Sequence, residues 1–320
     1  MDSETSPGPK RATEAALRGA KSAVGTTWFL AKILVPVTLA VALLGWSGVL
    51  SVLSRLLSPA MGLLGLPGEA ALVLVSALFL NIYSAIAVAG TLALDLREVA
   101  VLAIMCLTAH NLLVETPVMR KSGSSGTKMV ALRLLAALAA GFAYSLILPA
   151  GLAATPFSAG APAARPEFAA MLGAWGLSTL RLVAKIALIV LAVSVAQRLL
   201  EEFRIMDLLS RLFAPLMRFL GLPAKASFLW IVINVVGYAY GAGIVVAEIE
   251  SGRMKPQDGD LFNHHAAVCH SLLEDTVLFL ALGLPLFWLT LPRLAMAAVV
   301  VWAERARRHY FRRSFRAGIG

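Results

Sequence analysis

Three histidines and two carboxylates fall within one short stretch, NHHAAVCHSLLEDT from Asn263 to Thr276, in a chain that is otherwise largely apolar. Part of it is repeated: His110 to Thr116 reads HNLLVET and His270 to Thr276 reads HSLLEDT, so His110 matches His270, Glu115 matches Asp275 and Thr116 matches Thr276. Imidazoles and carboxylates exchange protons and ligate divalent ions, and those are the two chemistries this pattern can support. For metal, the donors at hand are His264, His265, His270 and Glu274, which could hold zinc or iron if the helix carrying them unwinds. Neither HExxH nor GxSxG accompanies them, which speaks against a hydrolytic enzyme. An ionisable side chain near a bilayer centre costs roughly 2.5–3.5 kcal/mol, so it faces protein or a wet cavity and marks a path for ions or solutes.

That the solvent is a bilayer follows from composition. Hydrophobic residues make up 59% of the 320, charged residues only 14%, and the mean hydropathy is +0.81, which places the chain among polytopic membrane proteins. The net charge of +10 is concentrated beside apolar segments and in the C-terminal tail. Lipid headgroups and membrane topology account for such a pattern, and nucleic acid is not an expected partner. Cys106 and Cys269 lie inside apolar segments, so no disulfide framework is implied.

The positioning elements are then read in order. Residues 1–27 form a polar leader without signal-peptide layout, expected to be cytoplasmic and partly disordered. Trp28 to Leu50 is long enough to cross a hydrocarbon core. Leu53 to Leu66 is too short to cross and amphipathic enough to lie in the interface. Over Leu53–Ala70 against Leu209–Ala226, 11 of 18 positions are identical without a gap, so the chain is an internal duplication. Its parts are a first membrane repeat over 28–151, an external loop over 152–169, a second repeat over 170–304 and a basic cytoplasmic tail over 305–320.

Each interfacial segment is followed by an apolar stretch with a polar or glycine-rich centre: Asn81, Tyr83 and Ser84 within 70–94, and Asn234 with GYAYGAG within 226–249. If both stretches cross, there are eight spans and the 28 Lys and Arg divide 17 inside to 11 outside; if both are re-entrant hairpins, there are six and the division is 22 to 6. The positive-inside rule selects six. The expected fold is therefore an all-α, polytopic membrane protein, an inverted duplication with interfacial helices, re-entrant hairpins and about six full crossings, both termini cytoplasmic.

The twice-occurring LSRLxxPxMxxLGLP pattern, followed by a hairpin-like stretch and a polar broken helix, resembles the nucleoside-recognition (Gate) domain family of bacterial inner-membrane proteins. That family includes spore-maturation membrane proteins and is similar to the membrane part of ferrous-iron permeases and the core of concentrative nucleoside transporters. The resemblance covers roughly Val49–Leu148 and Leu191–Val301. It implies an inner-membrane location and a solute site between hairpin tips and unwound helix centres. By residue, that implies Asn81, Tyr83, Ser84, Asn111, Glu115 and Thr116 with Asn234, Tyr238, Tyr240, Ser271, Asp275 and Thr276, beside the paired His110 and His270. The chain has no GxxxxGK[ST], so the resemblance does not extend to nucleotide-driven iron uptake.

Two bland readings stand beside the functional one. The histidines could be interhelical hydrogen-bonding glue, and the acids could be buried partners of them. The expectation carried forward is a transporter or permease for a small polar solute, nucleoside-like by resemblance, and not an enzyme. Its alternatives are a divalent-metal transporter or binder, with that metal or a coupling cation as cofactor, and a non-transporting scaffold assembling as a homo-oligomer.

Overall fold

The computed structural model describes residues 8–149, 152, 167–235, 237–238, 245–246, 248–249, 252 and 254–317; among them there are helices and no β-strand. Helix α1 (Gly8–Ser47) and helix α8 (Phe168–Glu202) run antiparallel along most of their length. Arg11 and Arg18 reach Glu202 at one end, at 2.9 and 2.6 Å, and the Trp46 ring meets Phe168 at the other, at 5.1 Å. Residues 1–7 lie outside the described residues, and the leader is helical from Gly8. The reason is a stripe of small residues at helical spacing, Ala15, Gly19 and Ala23, which lets the two backbones approach. A Cβ on Gly19 would lie 2.7 Å from Val195 Cα.

The remaining elements occur twice. Helix α2 (Val49–Gly62) corresponds to α9 (Ile205–Phe219). Each ends in a glycine at positive φ, Gly65 at +66° and Gly221 at +75°, which no L side chain adopts cheaply, followed by an extended Pro67 or Pro223. Short helices α3 (Ala71–Phe79) and α10 (Ser227–Val235) come next. After a break at Leu80 and Asn81, α4 (Ile82–Ala89) packs back on α3; most of its counterpart in the second half, including Tyr240, lies outside the described residues. Then come α5 (Leu96–Thr108) and α6 (Leu112–Lys121), matched by α11 (Pro256–Ala266) and α12 (Glu274–Leu280), and finally α7 (Gly126–Ile147), matched by α13 (Leu286–Ala317). Helix α5 packs on α7 as α11 packs on α13.

Local chemistry starts these helices where they start. Asp95 and Glu98 form a reciprocal capping box for α5, at 2.7 and 2.8 Å, and Ser125 caps α7. Among the described residues, four helical stretches are long and apolar enough to cross a membrane: Leu96–Lys121, Gly126–Ile147, Phe168–Glu202 and Leu286–Tyr310. The second motif segment is split into helices of 11 and 7 residues.

Outward faces are apolar, with Leu135, Leu146, Leu180, Leu188 and Val299 all exposed, as suits lipid as the solvent. Helix α9 is amphipathic in the way expected of an interfacial helix: Arg204, Arg211 and Arg218 recur at seven-residue spacing beside exposed Leu208, Leu212 and Phe219.

Several loops meet at one end of the molecule. Ser124 Oγ donates to Asp260 Oδ1 at 2.5 Å, Lys128 Nζ to Glu304 at 2.9 Å, and Arg308 Nη1 to the Gln257 carbonyl at 2.9 Å. An eight-crossing arrangement would put the bilayer between Ser124 and Asp260, which this contact argues against. Cysteines at the exposed positions Ser125 and Gln257 are accordingly expected to react with an impermeant maleimide from one side of the membrane only, the same for both. Reaction from opposite sides would refute this arrangement of the ends.

Candidate functional site

The twin motif breaks both of its helices. Helix α5 ends at Thr108 and α6 resumes at Leu112, with Asn111 at φ +51°; α11 ends at Ala266 and α12 resumes at Glu274, with Ser271 also at φ +51°. A left-handed residue is tolerable for Asn and uncommon for Ser, and it turns the chain without a full loop. The freed amides are taken up by the short helices of the same half. Asn111 N–H donates to the Ala77 carbonyl at 2.8 Å and Ser271 N–H to the Ile233 carbonyl at 3.0 Å. In the second half Asn234 adds two more bonds: its side chain accepts from Leu272 N–H at 3.3 Å and its carbonyl from Leu273 N–H at 2.9 Å.

The two breaks face one another. His110 Nε2 and His270 Nε2 are 3.3 Å apart, with ring centroids at 4.9 Å. The acids cross over between halves: Glu115 Oε1 lies 3.2 Å from His270 Nε2, and Asp275 Oδ2 lies 3.7 Å from His110 Nε2. A residue that touches its own counterpart, flanked by reciprocal contacts, marks a local two-fold relation between the repeats. All four side chains are buried.

Two arginines hold the breaks, and the sequence reading did not single them out as site residues. Arg133, counted there as a loop charge, is fully buried in α7. Its guanidinium donates to the Thr108 carbonyl at 3.3 Å, the His110 carbonyl at 2.7 Å and Glu115 Oε2 at 2.5 Å. Arg293 stands in the equivalent place and donates to the His270 carbonyl. Their signal was present: each follows its histidine by 23 positions. The halves differ, however, because Arg293 Nε and Nη1 and Asp275 Oδ2 are buried without a hydrogen-bond partner among the described residues.

The other expected site residues lie around this centre. Asn81 caps α4 by accepting from Ser84 N–H at 2.9 Å and Ser84 Oγ at 3.1 Å. Tyr83 donates its hydroxyl to Glu274, joining the first half to the second. Tyr238 sets its ring 5.6 Å from that of His270, tilted by 54°, and donates to Asn263 Oδ1 at 3.0 Å. Asn263 in turn binds Ser122 and Ser124, at 2.7 and 2.9 Å, a network that the sequence reading missed. The buried hydroxyls of Thr116 and Thr276 have no partner among the described residues.

The proposed metal set does not assemble. His265 accepts from Trp230 Nε1 at 2.8 Å, Glu274 turns to Tyr83, and only His270 faces the central pair. His264 joins Asp260 and Glu304 instead. Unwinding alone does not bring the set together, because the break at residues 267–273 turns the donors on its two sides toward different neighbours. Glu304 is also a poor ligand, since Lys128, Arg307 and Arg308 already occupy its oxygens at 2.8–2.9 Å.

Fold and site define a duplicated, all-helical membrane protein whose halves meet at paired polar helix breaks. Residues 183–301 match the family model Gate, described as nucleoside recognition. Over 293 residues the chain is 34% identical to the uncharacterized membrane protein YvoD of Bacillus subtilis (strain 168), covering 90% of this chain and 93% of YvoD. The chain belongs to the nucleoside-recognition (Gate) family. No solved structure matches it.

Removing one partner of a buried ion pair costs about 3–5 kcal/mol, because the other charge is left uncompensated. Arg133→Met is therefore expected to lower the melting temperature in detergent far more than Arg293→Met, whose parent lacks a carboxylate partner. Adding Glu115→Gln to Arg133→Met should recover part of the loss. Equal losses for the two arginines would show that the halves are paired alike.

Proposed function

We propose that the protein is a transporter or permease for a small polar solute of the nucleoside class, acting between the two repeats in the bacterial inner membrane. The observation that carries this reading is the face-to-face meeting of two broken, polar-centred helices inside an otherwise apolar interior. Broken helices at membrane depth are tolerated where they are enclosed by protein or line a cavity, and in transporters they build the solute site.

Inversion of the repeats is supported by where their equivalent turns lie. A Cβ on Gly65 would sit 3.8 Å from Ser145 Cβ, near the C-terminal end of α7, whereas the Gly221 carbonyl accepts from Arg305 at 2.7 Å, at the end where Glu304 meets Lys128 near the start of α7. Helix α7 has 22 residues and spans about 33 Å, so the two turns are on opposite sides. The re-entrant reading of 70–94 is supported by α4 folding back on α3. In the second half, Gly237 at φ +91° brings the chain close to Ser271 and Glu274; a Cβ there would lie 3.6 and 3.5 Å from their side-chain oxygens. Exclusion of Arg133 and Arg293 from the topological charge count leaves the positive-inside asymmetry intact, since the count placed one on each side. Both termini remain cytoplasmic in this reading.

The solute contacts we assign are Tyr83 and Glu274, which bridge the halves, and the hydroxyls of Thr116 and Thr276. A buried hydroxyl without a partner gains nothing for the fold, so replacement by the isosteric valine is nearly neutral for stability. In a thermal-shift and proteoliposome-flux series, purine or pyrimidine nucleosides should stabilise the wild type. Thr116→Val and Thr276→Val should keep the unliganded melting temperature and lose the nucleoside response. Absence of both stabilisation and flux with every nucleoside tried would overturn this assignment of solute.

A further inference from the structure

We propose that His110, His270, Glu115 and Asp275 form a binding site for one divalent transition-metal ion of the zinc type, placed where the two repeats meet. This inference does not rest on the solute assigned above.

The first ground is the tautomer of each ring. His110 Nδ1 lies 2.9 Å from the Cys106 carbonyl oxygen and His270 Nδ1 lies 2.6 Å from the Ala266 carbonyl oxygen. A carbonyl oxygen only accepts, so both Nδ1 atoms carry the proton and both Nε2 atoms present a lone pair. This is the arrangement that metal-ligating histidines take, with the far nitrogen donating to a backbone carbonyl. Two imidazole lone pairs 3.3 Å apart repel unless a cation lies between them.

The second ground is that every other atom at this point is also an acceptor. Glu115 Oε1 is 3.2 Å from His270 Nε2 and 3.6 Å from His110 Nε2. Its other oxygen is engaged by Arg133, which leaves Oε1 as a single-oxygen ligand and makes Arg133 a positioning residue. Asp275 Oδ2 points to the same place, 3.7 Å from His110 Nε2, and is buried without a hydrogen-bond partner. Two nitrogens and one carboxylate oxygen thus converge with no donor among them, and Asp275 adds a further acceptor on the His110 side.

The third ground is dimensional. Bonds of 2.0–2.1 Å to a tetrahedral zinc ion set neighbouring ligand atoms about 3.3–3.4 Å apart. Among His110, His270 and Glu115 the separations of 3.2, 3.3 and 3.6 Å lie near that edge, while Asp275 Oδ2, 3.7 Å from His110 Nε2, stands outside the trio whose atoms all close on one another. Arg133 shares the Glu115 charge through the other carboxylate oxygen, and both Arg133 and Arg293 also donate to carbonyls of the two helix breaks. Imidazole with carboxylate in a tetrahedral set suits zinc and its divalent neighbours.

The test uses the full chain purified in detergent without chelator. Elemental analysis is expected to find one transition-metal ion per chain, and stripped protein reloaded with Co2+ should show the intense visible bands of a tetrahedral Co2+ site. His110→Asn and His270→Asn should each lower Co2+ affinity at least about tenfold, by the scale on which even outer-shell changes act, while the exposed His309→Asn should not. If the variants do not fold, wild type alone decides: stripping should lower the melting temperature and Zn2+ should restore it. Metal-free protein that neither binds Co2+ nor responds to Zn2+ would overturn the proposal and leave a proton shared by the two imidazoles. Unchanged Co2+ bands in both histidine variants would overturn it equally.

Discussion

The constraint on which the rest depends is that a helix interrupted in an apolar medium exposes carbonyl groups to which no water can donate. Each such group costs several kcal/mol if it is left alone. The protein meets this cost twice with the same device, an arginine from the following helix. Arg133 takes the carbonyls of Thr108 and His110, and Arg293 takes that of His270. Burying a guanidinium creates a second cost, because its charge then needs an acceptor. The carboxylate of the motif answers that cost in the first half through Glu115. Helix break, arginine and acid are therefore one unit, and the histidines are brought together only because both units exist.

The two units are equivalent in sequence position and unequal in pairing, and two substitutions at matched positions accompany the difference. Asp275 is one methylene shorter than Glu115, so it cannot reach as far toward its arginine from the same backbone position. Beside it stands Glu274, where the first half has Val114. Glu274 turns away from the centre to Tyr83. The second half therefore carries one more acid and one fewer ion pair than the first, and its polar atoms remain available to a ligand or to a different pairing.

Much of the fold was legible in the chain because membrane proteins advertise it. Apolar length identified the long spans, the identity between Leu53–Ala70 and Leu209–Ala226 identified the repeats, and the twin motifs located the centre. What was not legible came from the breaks. The sequence showed that the helix over Asn263 to Thr276 could unwind but not which way its donors would then face, and the interruption at 267–273 sends His264, His265, His270 and Glu274 to four different neighbours. Arg133 was hidden for the opposite reason. Basic residues near span ends are normally topological, and only the recurrence of the same 23-residue offset in Arg293 distinguishes a buried arginine from a loop one. The Ala15, Gly19 and Ala23 stripe was likewise lost in a leader judged by its average polarity.

The ends of the molecule are held by different forces, and that difference bears on how a gate could work. At the end carrying Ser124, Asp260 and Arg308, the halves are laced by ion pairs and hydrogen bonds, Lys128 with Glu304 and Ser124 with Asp260 among them. At the other end the cross-half contacts among the described residues include Tyr144 with the Trp288 carbonyl and the Tyr144 ring edge-on to Trp288 at 5.8 Å. Partly exposed ion pairs are each worth about 0–1 kcal/mol, so several together can latch one end without fixing it permanently. A centre that is strongly paired in one half and loosely paired in the other, set between a latched end and one where aromatic rings meet, has the inequality that a two-state element requires. In the transport reading, the solute's differential contacts with the two states would have to overcome only that latch, and not the buried arginine units that keep the helices broken.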